Sequence, residues 1–225
     1  MEKFDLILVG TGFASSFFLK KYLEKSPPDT RILVLERGIL YPYTERMKIA
    51  RGEKSEIFAK RAKISDAFIN NNADKVWMFD PNFGGSSNCW TGCTPRFLPN
   101  DFRIKSLYGV GQDWPISYDE LEPYYTQAEE IMMIGGPDIT PFPKSKPYPL
   151  PPQKLSSVDK LIQDRYQELY ISQPSARATV ATGNRNACCT SAVCGLCPVN
   201  SKFTIENTLG YLYADSRVTI RYGSQ

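Results

Sequence analysis

The residues best suited to chemistry fall in three clusters. The first is Gly10-Thr11-Gly12-Phe13-Ala14-Ser15, followed downstream by Glu36. Gly10 permits a tight turn, and Gly12 lets backbone amides approach a pyrophosphate at a helix N-terminus. Ser15 stands where a third glycine is usual and is small enough for close helix–strand packing. Glu36 is placed to accept hydrogen bonds from an adenosine ribose. The second cluster runs from Asn82 to Arg96 and contains Gly84-Gly85-Ser86-Ser87-Asn88-Cys89-Trp90-Thr91-Gly92. Paired glycines let a backbone lie against something flat or charged, and the serines, Asn88 and Thr91 supply donors and acceptors beside it. Taken alone, this stretch reads equally well as a polar loop.

The third cluster is cysteine. The six thiols stand at 89 and 93 and at 188, 189, 194 and 197. Thiolates select zinc or iron–sulfur clusters. Zinc favours a longer loop between its cysteine pairs, whereas adjacent Cys188 and Cys189 could grip two irons of one cluster. A cluster, a zinc site and unligated thiols all stay open as readings. Histidine is absent from the 225 residues, so the chain contains no imidazole base, nucleophile or metal ligand.

These residues need elements to position them. Phe4 to Val9 is an apolar run of strand length, Ser16 to Leu23 reads as helix, and Ser26-Pro27-Pro28-Asp29 stops it. Ile32 to Glu36 is a second strand ending in the acid. Strand, glycine turn, helix, strand and carboxylate make a dinucleotide-binding βαβ unit, with a plain βα turn as the bland reading. Tyr43 to Lys63 reads as helix and loop, and Trp77 to Pro81 as a short strand. Ser117-Tyr118-Asp119-Glu120 is a capping box that starts a helix ending at Gly135-Gly136-Pro137. Between Pro137 and Pro152 seven of sixteen residues are proline, which predicts a rigid extended connection. Ser156 to Tyr170 reads as an amphipathic helix with Val158, Leu161, Ile162, Tyr166 and Leu169 on one face. Thr204 to Leu212 reads as helix and Arg217 to Tyr222 as a strand.

Composition narrows the class. Hydrophobic content of 42% and charged content of 23% suit a globular protein, and a net charge of +3 gives no case for nucleic acid. No apolar run spans a bilayer, and the N-terminus lacks the features of a signal peptide, so the cytoplasm is the expected location.

Together the pieces resemble the glucose–methanol–choline (GMC) oxidoreductases, FAD-dependent enzymes that oxidise alcohols and sugars. The carrying residues are Gly10/Gly12, Glu36-Arg37-Gly38, Gly84 to Gly92, Thr94-Pro95-Arg96, Asp113 to Tyr118 and Cys197 to Thr204. The resemblance implies that Gly10, Gly12 and Ser15 line the FAD pyrophosphate and Glu36 its ribose. It implies that Gly84, Gly85, Ser86, Asn88, Cys89 and Thr91 lie along the pyrophosphate and isoalloxazine. In the similar pyranose oxidases the residue before Trp-Thr is a histidine joined covalently to the flavin. Here it is Cys89, so non-covalent FAD is expected. The spacing of Cys188, Cys189 and Cys194 resembles that of cluster-bearing bacterial sugar dehydrogenase subunits, which implies a 3Fe-4S cluster passing electrons to a haem or quinone partner.

The resulting expectation is an α/β fold: a Rossmann-like FAD-binding βαβ core with an interleaved part of a substrate domain, incomplete at its C-terminus. Residues 1–102 and 181–225 are assigned to the FAD-binding domain and 103–180 to the substrate-domain segment. The expected function is the N-terminal part of a dehydrogenase acting on a small alcohol or sugar, inactive as the isolated chain. The competing readings are an oxygen-using oxidase and a catalytically inactive FAD- or cluster-binding module.

Overall fold

The computed structural model describes residues 2–66, 68–72 and 74–224. They form an α/β chain in two compact units, Met1–Thr91 with Thr190–Gln225, and Gly92–Cys189. The divisions expected at 102/103 and 180/181 both lie inside the second unit.

In the first unit, β1 (Leu6–Val9), α1 (Phe13–Lys25) and β2 (Ile32–Leu35) follow one another. β1 pairs in parallel with β2, Leu6 opposite Ile32. On the far side of β2, β3 (Val218–Arg221) also pairs in parallel, with Val218 opposite Ile32. β2 is therefore central, and a central parallel strand needs apolar residues at every position. Its Ile-Leu-Val-Leu sequence meets that need, and Ile32 and Val34 are fully buried. β1 alternates instead, with Ile7 and Val9 exposed. α1 buries Ser16, Leu19 and Leu23, the three-and-four spacing of one helix face.

The excursion after β2 forms α2 (Tyr43–Ala50) and α3 (Glu56–Lys60). The strand expected at Trp77 to Pro81 does not form. Asp80 instead turns the chain, accepting from Asn82 N and Asn82 Nδ2 on one oxygen and from Asn88 Nδ2 on the other. Thr204 caps the return segment by accepting from Asn207 N at 3.1 Å. The helix expected there is a π-turn, Ile205–Leu209, followed by a 3-10 turn, Gly210–Ala214.

The second unit contains α4 (Ile104–Tyr108), α5 (Tyr118–Met132) and α6 (Ser157–Tyr166). Ser117 and Glu120 make the expected capping box on α5. Arg96 is buried against this helix. Its Nε and Nη2 grip the two carboxylate oxygens of Glu129, and its Nη1 reaches Glu122 and Pro143 O. The proline-rich stretch folds back within this unit, where Leu150 N donates to Ile134 O and Tyr148 covers Gly136. The apolar stripe of α6 faces solvent rather than a core, with Val158, Leu161, Tyr166 and Leu169 all exposed.

Burial alone would raise the Glu122 carboxyl. Ser145 N–H, the Arg96 guanidinium, and the hydroxyls of Ser145 and Thr126 outweigh it and pull the group from 4.5 to about 2. A carboxyl whose folded value is depressed stabilises the fold above its unfolded value and loses that contribution as pH falls. The melting temperature of the chain is therefore expected to drop between pH 4.5 and pH 2, and Glu122→Gln to flatten that drop. Thermal melts of the two proteins across this range check it.

Candidate functional site

Thr11, between the two glycines of the first turn, is buried and organises the turn. Its N–H and hydroxyl both donate to Glu36 Oε2, at 3.0 and 2.5 Å. The other carboxylate oxygen, Oε1, accepts from Gly38 N at 2.9 Å. Glu36, expected to face a ribose, thus holds the turn in shape from beneath. Ser16 Oγ reaches Thr11 O at 3.1 Å and shares a hydrogen bond of 2.7 Å with Tyr213 OH. Ser15 is half-buried, its hydroxyl 3.5 Å from Val9 O. Gly12 is the N-cap of α1 and no side chain caps it, so the first amides of the helix keep their donors.

The second glycine cluster sits on the first. Gly84 N donates to Thr11 Oγ1 at 2.9 Å, so one hydroxyl links the glycine loop to Glu36. Gly85 has φ +55°, and a Cβ built on it would stand 3.2 Å from Gly12 Cα. The two glycine turns that the sequence places far apart are in backbone contact. Asn88 is buried, its Nδ2 donating to Asp80 Oδ2 and Phe83 O while Oδ1 has no partner among the described residues. Ser86 and Thr91 are exposed. Cys89 is half-buried, its thiol directed at Ser86 O at 3.7 Å, and burial pushes that thiol up.

Two anchors hold the loop from outside. Ser87 Oγ accepts from Ile205 N at 3.1 Å, and Trp90 Nε1 donates to Phe203 O at 2.9 Å. Phe13 packs edge-on against Trp90 and stacks on Phe203, tying the loop to α1. Asn82 fixes the approach to the loop through Ile39 N, Ala62 N and Ala62 O. Beyond Asn88 and Cys89 lies a cavity of about 520 Å³, walled by Tyr41, Phe58, Met78 and Phe79. Arg46 borders it, buried, with Nη2 bonded to Glu206 and with Nε and Nη1 lacking partners.

Among the described residues no group of three or more His, Cys, Asp or Glu is placed to hold a metal ion. The cluster expected on Cys188, Cys189 and Cys194 is therefore not supported. The chain passes from the second unit to the first between Cys189 and Cys194. Cys188 N is tied to Ala178 O within the second unit, and Cys194 O to Lys202 Nζ within the first.

Thr11, Asn82, Arg46 and Lys202 were not singled out by the sequence. Only Thr11 left a local signal, a hydroxyl between two turn glycines.

No family model matches the chain. It is 37% identical over 128 residues to the fructose dehydrogenase large subunit of Gluconobacter japonicus, covering 53% of this chain and 24% of that one. It is 46% identical over 57 residues to 2-methyl-1,2-propanediol dehydrogenase of Mycolicibacterium austroafricanum, 24% of this chain and 10% of that one. It is 24% identical over 196 residues to the gluconate 2-dehydrogenase flavoprotein of Pantoea cypripedii, 68% of this chain and 31% of that one. The chain thus spans less than a third of the length of each of these relatives. In fold it is similar to pyridoxine 4-oxidase from Mesorbium loti, with a TM-score of 0.52 at 18% identity, over 98% of this chain and 42% of that one. By sequence its relatives are GMC-family FAD oxidoreductases, the family its glycine motifs resemble.

Proposed function

We propose that this chain is the FAD-binding N-terminal portion of an oxidoreductase acting on CH–OH groups of alcohols or sugars. The observation that carries the reading is the meeting of the two glycine turns at the uncapped start of α1. The β1–α1–β2 unit is taken as Rossmann-like, with its pyrophosphate site at that helix start. The residues fit the cofactor at three points. Phe13, Ala14 and Ser15 offer backbone donors to a pyrophosphate, and Gly12 and Gly85 keep side chains out of its way. Among the described residues Glu36 Oε1 accepts from Gly38 N alone, which leaves it capacity for a ribose hydroxyl. The orphaned Asn88 Oδ1, near the apolar cavity, is an acceptor in need of a donor.

FAD, when bound, supplies the hydride acceptor at its N5. The chain's own part is to bind and orient it. Burial keeps the Cys89 thiol protonated, in keeping with non-covalent FAD. The resemblance assigns removal of the substrate hydroxyl proton to a histidine, and this chain contains none. A dehydrogenase passing electrons to a haem or quinone acceptor is preferred to an oxidase. The three sequence relatives are dehydrogenases by name, and the likeness to an oxidase is one of fold.

Titration of the 225-residue chain with FAD and with NADH, followed by flavin and nicotinamide fluorescence, tests the reading. FAD is expected to bind, NADH is not, and alcohols or sugars are expected to drive no dye reduction. Failure to bind FAD overturns the assignment, and substrate-dependent dye reduction overturns the absence of a base.

A further inference from the structure

Lys202 is almost fully buried, at 2% exposure. Its ammonium lies among four backbone carbonyls, Trp90 O at 2.7 Å, Asn88 O at 3.0 Å, and Cys194 O and Gly195 O each at 2.9 Å. An ammonium carries three protons, so four acceptors share three donors, and no carboxylate is among these partners. A buried cation held only by peptide dipoles is costly to desolvate and is kept where geometry requires it. The geometry is specific. Two of the carbonyls belong to the residues on either side of Cys89, so the ammonium fixes the peptide planes before and after the 89–90 link. The other two belong to the loop that carries Cys194.

We propose that Lys202 is a positioning residue for the flavin: its ammonium clamps the Asn88–Trp90 peptide planes to the 194–195 loop and so sets the face that Cys89 and Thr91 present. This rests on the assignment of residues 84–91 as the flavin contact loop. The clamp needs the charged amine, because a neutral amine has one donor fewer for the same four acceptors. Burial lowers this lysine to about 8, while Cys197, Cys89 and Cys194 oppose the shift and Arg46 adds to it. After burial, these four groups act on it most.

The test compares the full chain with Lys202→Met and Lys202→Arg. Hydrogen exchange is followed at residues 89–91, with β2 amides as the control for folding, and FAD dissociation constants are measured in parallel. Lys202→Met is expected to speed exchange at 89–91 at least tenfold and weaken FAD at least tenfold, with β2 unchanged. Lys202→Arg, which restores the charge, is expected to stay within threefold of the parent. Parent-like exchange and affinity in Lys202→Met overturn the proposal. If that variant loses β2 protection, the unmodified chain decides. FAD affinity that weakens as pH rises through 8 supports the clamp, and affinity that is flat from pH 7 to 9 overturns it. A parent chain that binds no FAD removes the functional assignment, and the exchange comparison then still upholds or overturns the clamp itself.

Discussion

Gly38→Ala is expected to cost about 3 kcal/mol of stability and to abolish FAD binding at temperatures where the protein still folds. A Cβ at this position would lie 2.3 Å from Pro81 O and 2.5 Å from Asn82 Cα, so it meets main chain rather than a side chain that can rotate. Neither strand of backbone is free to retreat. Gly38 N is held by Glu36 Oε1, and Gly38 O accepts from Gly223 N at 3.1 Å. On the other side, Asn82 is fixed through Ala62 and Asp80. Any relief must push residues 81–82 outward and carry Gly84 off Thr11 Oγ1, where the glycine loop is docked. Gly52→Ala is the control, since nothing lies within 4 Å of it and only its φ of +77° opposes a side chain, worth about 1 kcal/mol. Urea melts and FAD titrations of both variants check the contrast. A Gly38→Ala protein that melts with the parent would sink the prediction.

The second large effect belongs to Arg96→Met, which is expected to destabilise the second unit by about 3–5 kcal/mol. The Arg96 side chain is 1% exposed and bonds Glu129 at 2.7 and 2.8 Å, Glu122 at 2.9 Å, Pro143 O at 2.8 Å and Thr126 at 3.2 Å. Burial opposes the charge, but the hydrogen bonds that Arg96 donates to Glu129, Tyr118 and Glu122 more than compensate and hold the guanidinium protonated. Methionine fills much of the volume yet leaves the buried Glu129 and the half-buried Glu122 without this cation, which is the expensive half of breaking such a pair. Lysine cannot supply the planar fork that grips both Glu129 oxygens, so Arg96→Lys is expected to recover only part of the loss. Arg96→Met combined with Glu129→Met should be more stable than Arg96→Met alone, because the stranded charge goes with its partner. A denaturant series on the four proteins gives the ordering, and an Arg96→Met protein within 1 kcal/mol of the parent would be a clear failure.

What could be read from the sequence was whatever is decided locally. The apolar runs of β1 and β2 and the alternation of β3 declare themselves over four or five residues, and the Ser117–Glu120 capping box is complete within one turn. The glycine turns were legible because Gly10, Gly84 and Gly85 take a positive φ that side chains rarely adopt. The misses share a cause. Trp77 to Pro81 has strand-like residues, but Asp80 finds three amide donors on the asparagines that follow and turns the chain instead. The α6 stripe has helical period, and period alone cannot say whether anything covers it. Glu36 stands at the expected place in the βαβ unit, while its bonds to Thr11 arise only once the turn has closed over it. Lys202 and Arg46 carry no local signature, since their partners are distant in the chain.

The first unit is built from two stretches of chain with the whole second unit between them, and this fixes an order in time. A ribosome delivers Ile32 long before Val218, its neighbour across the sheet. At about 5–20 residues per second the interval is on the order of ten seconds or more. Throughout that wait β2 lacks one of its two strands, and the loop at 84–91 lacks Phe203, Ile205 and Lys202, which anchor it. The second unit has all its residues in hand first, so it should finish folding while the first unit is still being written. Capture of the proposed cofactor is thus expected late in the life of the nascent chain, and a pause in translation just after Cys189 would prolong the exposure of an unfinished sheet.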